Sequence, residues 1–192
     1  MDTFPLMPIR NQEPLIIERL RIAFPKKIFT IQRVPQTLSI KEFNRISRLT
    51  PFIGLAWTGM KPDPDSGRML KGNMLWRLIL INSVSNGLEA RFKGDANDIG
   101  MDAMADVASV LLQGVSFEGQ GATSVTGANS VTADGWSDDN LSIAQLDFTF
   151  SFACRAAATG KMQPDDFRAL GVTWSVNGST ETVSDEVQPP QE

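Results

Sequence analysis

The sequence predicts a domain in which helices pack against a β-sheet, and three stretches predict it. The first is residues 74–84, MLWRLILINSV, the longest nearly unbroken apolar run in the chain. In an extended chain Met74, Trp76, Leu78 and Leu80 point one way, and Leu75, Ile79 and Ile81 point the other with Arg77 among them. A strand apolar on both faces is covered on both, so it belongs in the middle of a sheet. Its β-branched and bulky residues, and the turn signal Asn86-Gly87, favour a strand over a buried helix. The second stretch follows Asp98. Met101, Met104, Ala108, Leu111, Leu112 and Val115 recur at helical spacing, with Asp102 and Asp106 outside. This predicts a helix over 98–113, capped by Asp98, ended at Gly114 and laid on one face of the central strand. The third stretch is 141–154, where Leu146, Phe148, Phe150 and Phe152 alternate with Gln145, Asp147, Thr149 and Ser151. One face of that strand packs, and the other meets water, a partner or a lumen.

The remaining elements follow in order. Residues 1–12 read as an irregular leader with Pro5 and Pro8, and Pro14 sits where the first turn of a helix favours proline. That helix, over 14–24, places Ile16, Ile17, Leu20, Ala23 and Phe24 on one side and Glu18, Arg19 and Arg21 on the other; Pro25 ends it. Residues 27–34 form a first strand, with Ile28, Thr30 and Gln32 against Phe29, Ile31 and Arg33. Ser39 and Glu42 form a capping box for a short helix that runs to Leu49 with Ile40, Phe43 and Ile46 inward, before Pro51 stops it. Residues 52–58 form a second strand. Ile53, Leu55 and Trp57 share a face, and Gly54 and Ala56 leave room on the other for a helix to approach.

Residues 60–72, with two prolines, two glycines and mixed charge, form a solvated loop or hairpin tip. It makes the strands at 52–58 and 74–84 antiparallel neighbours. Residues 85–97 are a polar connection, and the Gly/Ser/Thr-rich 118–140 a weak strand or flexible arm. After a spacer at 156–160, residues 164–170 form a helical turn or two and 172–176 a small strand. The domain organisation is therefore a leader at 1–12, one domain at 13–176 and a flexible acidic tail at 177–192.

Composition narrows the chemistry. The 192 residues include no His, no Tyr and one Cys. That excludes Ser-His-Asp and Cys-His nucleophile systems, and leaves only all-oxygen metal sites. Cys154 cannot form an internal disulfide, fits a reducing compartment and reads as a small buried hydrophobe. Asp63 and Asp65 around Pro64 look like a fragment of a calcium loop, but the distal Glu is missing and turn chemistry explains them. Asp134, Asp138 and Asp139 form an acidic loop that reads as solvated. There is no phosphate-binding loop, dinucleotide fingerprint or nucleophile elbow. No membrane span or signal-peptide pattern is expected. Catalytic, cofactor-binding and metal-ligating residues are all expected to be none.

The net charge of −4 conceals a split. Residues 1–93 hold 15 Lys+Arg against 7 Asp+Glu, a net of +8, and residues 94–192 hold 3 against 15, a net of −12. Copies of such a chain can meet unlike surface to unlike surface, in a heterologous contact that closes into a ring or grows into a filament.

The order of elements, carried by PFIGLAWTG, WRLILINSVS, DIGMDAMADVASVLLQGV and LSIAQLDFTFSFACR, resembles the tail terminator proteins of long-tailed phages. It is most similar to the Mu-type family encoded ahead of the contractile tail sheath. The likeness covers residues 13–155 and rests on apolar pattern rather than on catalytic residues. It implies an α+β fold with a mainly antiparallel sheet and helices packed on it. It also implies a virion protein, not an enzyme and without cofactors: a homo-hexameric ring at the head-proximal end of the tail tube. Such a ring ends tube and sheath growth and joins the tail to the head. Its partners would be the tube, the sheath and the head-completion or neck proteins. DNA would pass through without sequence-specific reading, and assembly would take place in the host cytoplasm without a membrane. The alternatives are another head–tail connector or tube component, or a hydrolase using carboxylates alone. The expected partner contacts are Lys61, Arg68 and Lys71 at the hairpin tip, and Gln145, Asp147 and Thr149 on the polar face of the last long strand.

Overall fold

The computed structural model describes residues 8–67, 69–84, 87–96, 98–131, 141–155, 170–175 and 182–187. The elements are α1 (Pro8–Leu20), β1 (Thr30–Arg33), α2 (Ile40–Ile46) with a following 3-10 turn (Ser47–Leu49), β2 (Phe52–Pro62) and β3 (Met69–Ser83). Then come α3 (Leu88–Lys93), α4 (Met101–Leu112), β4 (Ser116–Phe117), β5 (Gly121–Ser130), β6 (Leu141–Arg155), β7 (Leu170–Ser175) and β8 (Thr182–Val187). A six-stranded sheet runs in the order β1-β2-β3-β6-β5-β4. β1 pairs with β2 in parallel, and every other pairing in it is antiparallel. The fold is α+β, and the two-faced apolar strand lies inside the sheet between β2 and β6.

One sheet face carries the main core. Met74, Trp76, Leu78 and Leu80 of β3, and Leu146, Phe148, Phe150 and Phe152 of β6, pack beneath α1 and α4. From the helices come Ile16 and Leu20, and Met101, Met104, Ala108 and Leu112. The methionine stripe of α4 is core, as its spacing predicts. Each large side chain fully removed from water here contributes about 1.5–3 kcal/mol. α1 and α4 are also tied to each other. Arg19 Nε donates to the Leu111 carbonyl at 2.9 Å, partnering a carbonyl that the last turn of α4 leaves open.

Among the described residues, the opposite face is covered at one end only. Phe43 and Ile46 of α2 pack with Val34, Phe52, Ala56, Ile79 and Ile81 in a second, smaller cluster. Toward the other end of β3 no described helix lies over that face, and Leu75 and Arg77 are half-buried there.

Several local expectations are corrected. The first helix begins at Pro8, so the leader is shorter than 1–12, and Pro14 lies within the helix. An interior proline costs about 3 kcal/mol through its missing N–H and ring clash, and the helix continues because Gln12 and Ile16 on either side are buried. Ala23 and Ile40 are exposed rather than inward. Gly54 faces Val34, not a helix: a Cβ there would lie 2.9 Å from Val34 Cγ2.

The expected 60–72 loop is mostly strand. β2 continues to Pro62 and β3 begins at Met69, so only the short tip between them remains. The 85–97 connection contains α3, and Gly100, not Asp98, is the N-cap of α4. Asp98 instead closes a turn, its amide donating to Asp95 Oδ1 at 2.9 Å. The 118–140 stretch contains β5 through Ser130, while 132–140 lies outside the described residues. The small strand near 172–176 is β7, and Thr182–Val187, within the expected tail, pairs with it as β8. The helical turn expected at 164–170 falls on residues outside those described, apart from Leu170, which opens β7.

Candidate partner-docking face

Register decides which side chains share a surface. Paired residues in adjacent strands point to the same face, and alternate residues along a strand return to it. Lys61 pairs with Asn73, Leu75 with Thr149, Arg77 with Asp147, Ile79 with Gln145, and Lys71 with Ala153. Lys61, Lys71, Gln145, Asp147 and Thr149 therefore all project from the open sheet face, away from the main core. Two groups chosen separately from the sequence, one near a hairpin and one on an alternating strand, form a single surface. Arg68 lies outside the described residues.

The surface has a gradient along β3. Lys71 and the exposed Lys61 lie toward the hairpin. Both are strand residues rather than loop residues, and a sheet holds them more rigidly than a loop would. Lys71 Nζ stands 3.9 Å from Asp63 Oδ2, a loose pair with both side chains near half exposure. Midway, Arg77 meets Asp147 in a two-point contact, Nε to Oδ1 at 2.6 Å and Nη2 to Oδ2 at 3.0 Å. The hydrogen bonds that Arg77 donates to Asp147, helped by the carboxylate charge, raise the Arg77 pKa against a smaller opposing effect of burial. Thr149 Oγ1 donates to the Ser124 carbonyl at 3.4 Å. Beyond Gln145 the face turns apolar and passes under α2. From Lys71 to Ile79 the strand spans roughly 26 Å at about 3.3 Å per residue.

Arg77 is the residue of this candidate face to which the sequence assigns no role. An arginine inside an apolar run opposite an aspartate in an alternating strand is the signal that finds it, once the pairing of β3 with β6 is known.

On the opposite side of β3, Gln12 is fully buried and joins α1 to the sheet. Its Oε1 accepts from Trp76 Nε1 at 3.0 Å, and its Nε2 donates to the Ser151 carbonyl at 3.4 Å. The Arg33 guanidinium lies 4.7 Å from the Trp76 ring centroid and pairs with Glu13 at 3.1 Å. These contacts fasten α1 across the sheet.

Among the described residues, no group of three or more His, Cys, Asp or Glu side chains could hold a metal ion. Asp134, Asp138 and Asp139 lie outside them. Cys154 is buried in the main core. No helix among the described residues is long and apolar enough to cross a membrane. Comparison of the chain with protein-family models and with characterised proteins gives no match.

Proposed function

We propose that this chain is a structural virion protein, a tail terminator that caps the head-proximal end of a phage tail tube as a ring of copies. The observation that carries the reading is the open sheet face. A long, mainly antiparallel sheet packs its core against α1 and α4 on one side and leaves Lys61, Lys71, Arg77, Asp147, Thr149 and Gln145 displayed together on the other. The order of elements that resembles the terminator family is also the order of packing: β2, β3 and β6 adjacent, with α4 laid over them.

A terminator works by occupying the growing end of a polymer. It matches the tube on one side and rejects further tube subunits on the other, and no bond is made or broken. A polar face displayed on a long sheet suits that task better than a cleft does. Partners of the displayed face would be tube, sheath and neck proteins.

The test is removal of the protein from an assembling phage. Heads should fill normally and tails should form, but tube lengths should become irregular and heads and tails should fail to join. Uniform tails that still join heads would end the terminator reading. Loss of tails altogether would point to a tube or baseplate component.

A further inference from the structure

Two helices in this molecule carry exposed faces of opposite charge, each with exposed apolar residues beside the charges. On α4, Asp102, Asp106 and Val110 follow at intervals of four, so they form one stripe with a step of about 6 Å. Both aspartates are exposed, and Val110 is 75% exposed, the most exposed of the large hydrophobic residues among those described. The other face belongs to α2 and its 3-10 turn. There Ile40, Lys41, Asn44, Arg45, Arg48 and Leu49 line a shallow groove of about 740 Å³. Ile40 is 66% exposed and Leu49 36%. Arg45 is engaged by Glu42, whereas Lys41 and Arg48 make no ion pair among the described residues.

The complementarity is of shape as well as charge. Val110 is a knob with two carboxylates behind it, and the groove is apolar at Ile40 and Leu49 and edged by two cations. The stripe from Asp102 to Val110 is about 12 Å long, and the stretch from Lys41 to Arg48 about 10 Å. The two faces cannot meet within one chain. α4 lies over the main-core side of the sheet and α2 over the other, with the sheet between them.

We infer that the occupant of the α2 groove is a second copy of this chain, which seats Val110 against Ile40 and Leu49 and brings Asp102 and Asp106 to Lys41 and Arg48. The contact is heterologous, because one copy uses α4 and the next uses α2, so it repeats from copy to copy. It gives the charge split between the halves of the sequence a definite place. The inference rests on the capping reading only for closure of the repeated contact into a ring, and it leaves the open sheet face free for other proteins.

Cysteine capture tests it. Full-length Val110→Cys and Ile40→Cys chains, each retaining the buried Cys154, are mixed at high concentration and low salt under mild oxidation. The expected product is a mixed disulfide at least tenfold above the homodimers of either variant alone. Its yield should fall several-fold as salt is raised, since exposed charges are then screened. A chain carrying both substitutions should give a ladder of oligomers. A charge-reversal pair supplies the second measurement. Asp102→Lys with Asp106→Lys should abolish capture, and a partner with Lys41→Glu and Arg48→Glu should restore it.

Mixed yield no higher than the homodimer yields, or capture indifferent to the reversals, overturns the contact. If capture fails while tails lacking the protein still lose length control, the contact is wrong and the capping reading stands. If the ladder forms while tails lacking the protein stay uniform and joined, the contact stands and the capping reading falls.

Discussion

Arg77 and Asp147 face each other across β3 and β6 as register partners, joined through two guanidinium nitrogens, Nε and Nη2, and both carboxylate oxygens at 2.6 and 3.0 Å. A planar fork on a planar carboxylate fixes direction as well as distance. The pair therefore marks one register of the two longest strands, and a one-residue slip would separate it. The side chains are 30% and 37% exposed, so water screens much of the attraction.

The energetic expectation is correspondingly small. Arg77→Ala and Asp147→Ala should each destabilise the fold by about 1 kcal/mol, and a double-mutant cycle should give a coupling of roughly 0.5–1 kcal/mol at low salt. Arg77→Lys should recover less than half of that coupling, because an ammonium cannot make the two-point contact. Urea unfolding of the four variants measures it. Zero coupling at low salt would mean that the pair contributes nothing to pairing of the strands.

Gln12 and Trp76 form the opposite case, a polar contact out of water. Gln12→Ala leaves the Trp76 N–H buried without its acceptor and opens a small void beneath α1. The expected loss is about 2–4 kcal/mol, combining an unsatisfied donor with lost packing. Trp76→Phe removes the donor itself. Combined with Gln12→Leu, it should cost at least 1 kcal/mol less than the sum of the single changes. Thermal or urea unfolding of the set decides this, and strict additivity would contradict it.

These two pairs show what could be read from sequence. The two-sided apolarity at 74–84, the stripe of α4 and the alternation of β6 are strong periodic signals, and each element stands where its pattern places it. The capping box at Ser39 is likewise local, and the Glu42 amide does donate to Ser39 Oγ at 3.2 Å. What local pattern cannot carry is partnership across the chain. Gln12 is polar, stands two positions before Pro14 and lies 64 positions from Trp76, so it reads as leader. Gly54 reads as room for a helix because nothing nearby in sequence says that Val34 will fill the space. The lysines at 61 and 71 read as loop because two prolines and two glycines surround them, whereas pairing with neighbouring strands extends β2 and β3 into that region. The displayed face was half legible. Its residues could be chosen, but their convergence on one surface follows from a register that only the assembled sheet supplies.

α2 gives a pH-dependent expectation. The Arg45 side chain, hydrogen-bonded to Glu42 at 2.6 and 3.0 Å, holds that carboxyl below its usual pKa. A depressed carboxylate contributes stability above the unfolded-state pKa, and that contribution is lost as pH falls through the lower folded-state value. Fraying of α2 should therefore increase as the medium is acidified below the ordinary glutamate range, and Arg45→Gln should remove that dependence. Ser39→Ala should destabilise the helix by about 1 kcal/mol at every pH, because it deletes the cap and not a titrating group. Backbone amide exchange in α2, followed against pH in the three proteins, separates the two effects. Equal pH profiles for the parent and Arg45→Gln would exclude the ion pair as the cause.

The last expectation concerns the displayed face and its partners. Lys61 and Lys71 stand on adjacent strands of a rigid sheet, one exposed and the other only loosely paired with Asp63. Neither packs into a core cluster, so changing them should leave folding almost untouched, within about 0.5 kcal/mol. Single alanine substitutions should also be mild in assembly, because an exposed ion pair is worth about 0–1 kcal/mol. Reversal is different. Lys61→Glu with Lys71→Glu, extended by Arg68→Glu, changes the charge of this stretch by six units and puts repulsion where attraction is expected. If this face docks a tail or neck protein, the reversed chain should fold with an unchanged urea midpoint, yet infectious yield should fall at least a hundredfold. Electron microscopy of the lysate should show filled heads and separate tails. The open end of the face gives a control: Asn73→Ala, on the same surface but uncharged, should assemble normally. Particles that join normally in the reversed variant would remove the displayed lysines from the interface and shift attention to the α2 end of the sheet.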